Sequence, residues 1–130
     1  LYVGLPRLLE TYVRLDRIDD AKGLIKKYKH IIDDMAVSKE PWLKEKMYLD
    51  FRYAYALFQC KCSQFEEGMI VLLEVAELSN RIGNMERFKK CLLAFWQYRI
   101  YATSEHEEKY IKLLRTENRH KEYKLEKVEC

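Results

Sequence analysis

Between Tyr12 and Tyr28 the chain reads YVRLDRIDDAKGLIKKY, and this stretch limits the fold more than any other. Leu8, Leu9, Tyr12 and Leu15 recur at steps of three and four, Asp16-Arg17 interrupts the stripe, and Ala21, Leu24, Ile25 and Tyr28 restart it. That is the periodicity of two helix faces separated by a turn, so a helical hairpin is predicted. Asp16 is expected to cap the second helix, Ile18 to tuck between the two, and Asp19 and Asp20 to complement the positive end of the second helix dipole. Ala21 is small where the two backbones must come closest.

The same grammar extends along the chain. The first helix is predicted from about Pro6 to Leu15, with Pro6 in the tolerated first turn, and the second from about Asp19 to Asp33. Ser38, Glu40 and Pro41 signal the start of a long third helix, whose apolar stripe is Trp42, Leu43, Met47, Phe51, Ala54 and Phe58 and whose end is Ser63-Gln64. Phe65-Glu66-Glu67-Gly68 then repeats the order of Ile18-Asp19-Asp20-Ala21: apolar, acidic, acidic, small. A fourth helix carries Ile70, Leu72, Leu73, Val75, Ala76 and Leu78 and stops at Ile82-Gly83-Asn84, where Gly83 suits a left-handed cap. The fifth is predicted from about Met85 to Tyr101, burying Phe88, Cys91, Leu92, Phe95, Trp96 and Ile100. Ser104 and Glu107 have the spacing of a capping box for a sixth. Three hairpins follow, at about 5–34, 41–82 and 85–114; if Ala21, Gly68 and Lys109 are equivalent, they repeat at 47 and 41 residues.

Residues 1–114 are therefore expected to form one helical repeat domain, and 115–130 a charged helical extension or connector, since Arg115 to Glu122 contain no apolar residue. Glu105 with Lys109, Glu108 with Lys112 and Glu117 with Lys121 are spaced to hold such a helix in water. Only four glycines and two prolines among 130 residues argue for long helices and short turns over sheets, and 48% hydrophobic content suffices for a core without disulfides or metal. Four cysteines without framework spacing suggest a reduced, cytoplasmic protein. The longest apolar runs, Met69 to Leu73 and Leu92 to Trp96, are far short of the roughly 20 residues a membrane helix needs, and no leader is recognised. A start at Leu1 and a charged helical pattern at the end are expected of a piece of a longer protein.

Chemistry-bearing clusters are sparse. His30 and Asp34 are spaced to share a metal but have no second pair, and Cys60-x-Cys62 lacks the two-residue gap of zinc and redox motifs. Phosphate-cradling glycine loops, nucleophile elbows and dinucleotide fingerprints are absent from the sequence, so the expectation is a non-enzyme with no metal and no cofactor. The excess of 24 basic over 21 acidic residues is small. Near the end, Lys112, Arg115, Arg119, Lys121, Lys124 and Lys127 are interleaved with Glu117, Glu122, Glu126 and Glu129, which argues against direct nucleic-acid contact.

Leu8, Tyr12, Leu15, Ile18, Asp20 and Ala21 together resemble the tetratricopeptide repeat pattern of helix, turn and helix, with Leu9 and Asp16 standing where that pattern usually has glycine. The resemblance implies an all-α, right-handed superhelix of three antiparallel helix hairpins, about six helices with the last extended. Its first helices would line a concave face, to which Glu10, Arg14, Asp50, Tyr53, Leu57, Lys61, Tyr98 and Tyr101 are projected. Such a face suits a peptide or protein segment, Arg14 and Lys61 taking a carboxylate and Glu10 and Asp50 an amine. The run LLEVAELSNRIGNMERFKKC is similar to the repeat domains of bacterial peptide-sensing transcription regulators and to sensory repeats placed before diguanylate cyclase domains. The implied role is a non-enzymatic binding module of a cytoplasmic bacterial signalling protein. The alternatives are a sensory and dimerisation segment in front of an output domain, and a purely structural homodimerisation scaffold.

Overall fold

In the computed structural model, residues 2–129 are described, with side chains described for 2–116. The order is α1 (Gly4–Arg14), α2 (Ile18–Lys27), α3 (Lys29–Val37), a π-helical segment (Trp42–Met47) running into α4 (Tyr48–Lys61), α5 (Phe65–Ile82), α6 (Met85–Gln97), a 3₁₀ turn (Arg99–Tyr101) and α7 (Ser104–Glu129). The described residues are all-helical and contain no strand.

Seven α-helices rather than about six arise because the predicted second helix breaks at Tyr28, whose backbone relaxes to φ −107°, ψ 22°. Tyr28 still donates to the Leu24 carbonyl and accepts from the Ile32 N–H, so the chain bends without losing its ladder. The bend follows the packing surface: α2 lies on α1 and α4, whereas α3 lies on α4 and the π-helical segment, where Met35 becomes fully buried.

The helix ends share one device. Arg17 N–H donates to Tyr12 O, Gln64 N–H to Gln59 O and Asn84 N–H to Ser79 O, at 2.8 Å each. The residue before each donor is left-handed: Asp16 at φ 59°, Ser63 at 63° and Gly83 at 93°. These are Schellman closures. Asp16 therefore ends α1 and does not cap α2; Arg17 occupies that cap with no side-chain bond, while Asp16 pairs with Lys61 at 3.1 Å.

The hairpin template has a different buried stripe from the expected one. Leu5, Leu9 and Val13 fill the core, whereas Leu8 is partly exposed and Leu15 is 62% exposed. Ala21 is fully buried at its predicted close approach. Its counterpart Gly68 is closer still: a Cβ there would stand 2.7 Å from Cys60 Sγ and 2.9 Å from the Ala56 carbonyl oxygen.

α4 is buried nearly all round, through Leu49, Phe51, Tyr53, Ala54, Ala56, Leu57, Phe58 and Cys60. It touches α1, α2, α3, α5 and α6, which makes it the axis of the molecule. α6 stops at Gln97, four residues short of the predicted end, because the chain tightens into the Arg99–Tyr101 turn. Trp96 and Ile100 are consequently 50% and 77% exposed rather than buried. α7 packs on α5 and α6, with Tyr110 stacked on Phe95.

The α7 capping box is shifted by one residue from the prediction. Thr103 Oγ1 accepts from the His106 N–H at 3.2 Å and the Thr103 N–H donates to His106 Nδ1 at 3.5 Å, so Thr103 and His106 take the places expected of Ser104 and Glu107. His106 is buried as a result. Among the described residues, Glu105 with Lys109 and Glu108 with Lys112 do not form ion pairs; Lys109 and Lys112 face Glu74, Glu77 and Arg81 of α5. The Glu117–Lys121 pair and the other side chains expected of the charged extension beyond residue 116 lie outside the described residues.

Candidate ligand-binding cleft

α1 buries one apolar face against α4, α6 buries one against α5 and α4, and polar positions of α1, α4 and α6 meet over a common cleft. Its larger part, about 390 Å³, is lined by α1 through Arg7 and Glu10, by the π-helical segment and α4 through Trp42, Lys46, Asp50 and Tyr53, and by α6 through Arg87 and Lys90. A smaller part of about 190 Å³ continues past Tyr53 and Lys90 to Arg14, Leu57 and Leu93.

The floor is Tyr53, 4% exposed, whose hydroxyl accepts from Arg14 Nη2 at 3.2 Å. Burial pushes its phenol up to about 12, with the Glu10 charge adding to the effect. Arg14 Nε in turn donates to Glu10 Oε2 at 2.8 Å, and this bond chiefly raises the guanidinium above its ordinary value. The Lys90 ammonium stands 5.9 Å from the centre of the Tyr53 ring.

On the α6 side, Arg87 is 4% exposed and closes a network across three elements. Its Nε donates to Ser79 Oγ at 2.7 Å, its Nη1 to Asp50 Oδ1 at 2.9 Å, and its two terminal nitrogens to the carbonyls of Lys46 and Glu45. Those carbonyls belong to the π-helical segment, where wider hydrogen-bond rings leave backbone acceptors open to outside donors. Lys46 Nζ holds the other Asp50 oxygen at 3.0 Å.

Five of the eight projected concave-face residues, Glu10, Arg14, Asp50, Tyr53 and Leu57, therefore meet in this cleft. Lys61, Tyr98 and Tyr101 do not line it. Lys61 is held by Asp16, while Tyr101 stacks on Phe65 with ring centres 3.7 Å apart and Tyr98 lies 6.0 Å from the same ring. Arg7, Arg87 and Lys90 were missed by sequence reasoning. For Arg87 a signal existed: it stands four residues before Cys91 on the buried stripe of α6, where a cation needs acceptors.

Of the acidic members, Glu10 is engaged by Arg14 and Asp50 by Arg87 and Lys46, so neither is open to hold an amine, while Glu86 at the start of α6 is in no ion pair among the described residues. Arg7 and Lys90 have no ion-pair partner among the described residues, and the cleft carries five basic side chains against three acidic ones. Its chemistry favours an anionic group alongside apolar surface. Elsewhere among the described residues, no group of three or more His, Cys, Asp or Glu is placed to hold a metal ion, and no helix is long and apolar enough to cross a membrane. No protein-family model, curated protein or solved structure matches the chain.

Proposed function

We propose that the chain is a tetratricopeptide-like module, a right-handed superhelix of three antiparallel hairpins, that binds a peptide or protein segment along the cleft of α1, α4 and α6 and does no chemistry of its own. The observation that carries this reading is the pairing of a rigid aromatic floor, Tyr53, with basic residues not consumed by internal pairs, Arg7 and Lys90. Tyrosine buries area at little entropic cost, and cations fix the register of an acidic or carboxylate-bearing segment. By the resemblance noted in the sequence, the module belongs to a cytoplasmic bacterial signalling or regulatory protein.

Selection of peptides from a random display library on the immobilised chain tests the proposal. Binders should be enriched in acidic residues, and Lys90→Glu should weaken them by roughly tenfold or more, as loss and reversal of a charge-assisted contact requires. Peptides that bind Lys90→Glu and Arg7→Glu as tightly as the parent chain would reject the cleft as their site.

A second reading, dimerisation in front of an output domain, is favoured by a separate observation. Trp96, Ile100, Tyr101 and Ile111 all expose apolar surface at the α6–α7 end. Sedimentation of the chain over a concentration series decides it: a dimer lost on Ile100→Lys supports the reading, and a monomer at all concentrations removes it.

A further inference from the structure

A second cleft lies on the other side of α4. It measures about 370 Å³ and is bounded by α2 and α3 on one side and α5 on the other. Its apolar walls are Ile25 and Ile32, from the two helices that meet at Tyr28, Val71 from α5, and the rings of Tyr48, Phe51 and Tyr55 from the α4 side. Those rings recur at steps of three and four and lie about half a turn around α4 from Asp50, Tyr53 and Leu57, so the two clefts share a helix but no residue.

The charge around this cleft does not balance. Lys29 is paired with Asp33 at 3.2 Å and Arg52 with Glu74 at 2.7 Å. Lys26 is left as a lining cation with neither ion pair nor hydrogen bond among the described residues. One unsatisfied cation beside an apolar and aromatic wall is complemented by one negative charge carried on an apolar body.

We propose that this cleft binds a small aromatic carboxylate, its ring against Tyr48, Phe51 and Tyr55 and its carboxylate at the Lys26 ammonium. The site is separate from the cleft of α1, α4 and α6 and does not depend on what that cleft holds. The aromatic body follows from the wall, where Phe51 and Tyr55 stand tilted with ring centres 5.8 Å apart, a row that a further ring extends at favourable spacing. A single charge follows from the pairing, because a dianion would have to draw Lys29 or Arg52 away from a carboxylate each already holds. The volume falls within the roughly 300–1,000 Å³ of small-molecule pockets and suits one or two fused rings.

The direct probe is 2-naphthoate, with two fused rings and one carboxylate, and 2-naphthamide is its uncharged twin. Titrated into the 130-residue chain at neutral pH and followed by methyl NMR, naphthoate should shift Ile25, Ile32 and Val71 together. The amide should bind roughly fivefold more weakly, as loss of a partly exposed charge pair implies. Lys26→Met should erase that difference while leaving the far-UV spectrum unaltered, since Lys26 is exposed and bonded to nothing. Lys90→Glu, in the other cleft, should leave the difference intact. Hexanoate, a carboxylate without a ring, should bind more weakly than naphthoate. The proposal is overturned by shifts confined to Leu57 and Leu93 of the other cleft, by equal affinity for naphthoate and its amide, by a difference that survives Lys26→Met, or by hexanoate binding as tightly as naphthoate.

Discussion

Arg87 ties three elements together through four side-chain hydrogen bonds. It is buried, yet four of the five N–H directions of its guanidinium find an acceptor on α4, α5 or the π-helical segment. Arg87→Met roughly keeps the length and leaves Ser79, two carbonyls and one Asp50 oxygen without their partner, Lys46 still holding the other, so unfolding free energy should fall by about 2–4 kcal/mol, measurable in urea. An unchanged midpoint would mean that water replaces the guanidinium without loss.

Cys60 and Cys91 are a second residue-scale case, since burial pushes their thiols up to about 11 and about 12 from the ordinary 9.0. Folded pKa values above the unfolded ones stabilise below pH 9 and lose that stabilisation as pH rises through the folded values. Stability should therefore decline from pH 9 toward 11–12, and Cys91→Ala should flatten this limb. Alkylation of the native chain at pH 8, mapped by mass spectrometry, should spare both while the half-buried Cys62 reacts.

Among the elements, the turns were the most legible part of the sequence and their chemistry the least. The apolar-acidic-acidic-small pattern located α2 and α5, because it encodes a helix start and a close backbone approach at once. Asp16 was misassigned because aspartate serves equally as a cap and as a left-handed closure, and only the backbone geometry distinguishes them. The shift from Leu8 and Leu15 to Leu5, Leu9 and Val13 has a similar origin: two adjacent leucines fit either of two neighbouring stripes. Gly68 marks a close approach between α5 and α4. Gly68→Ala places a methyl against the Ala56 carbonyl and should cost about 1–3 kcal/mol by calorimetry despite its better helix propensity. A gain in stability would show that α4 and α5 separate freely.

For the whole molecule, the all-helical class was readable from scarce glycine and proline and from periodicity. The candidate cleft was legible in part: α1 contributed Glu10 and Arg14 and α4 contributed Asp50, Tyr53 and Leu57 but not Lys61, while α6 contributed Arg87 and Lys90 in place of Tyr98 and Tyr101, because the helix ended early and turned those tyrosines toward Phe65. Local stability should follow the distribution of burial. Amides of α4, enclosed by five helices, should exchange hydrogen most slowly, and those of α3, which buries only Met35, should exchange well before them. Equal protection in both would mean that the chain opens only as one unit.

The central position of α4 also fixes a mechanical relation between its two sides. Tyr53 and Tyr55 lie about half a turn apart on α4 and line different spaces, so one helix supplies a wall to both. Because one helix is common to both walls, a substitution that moves the α4 backbone changes the shape of both spaces at once.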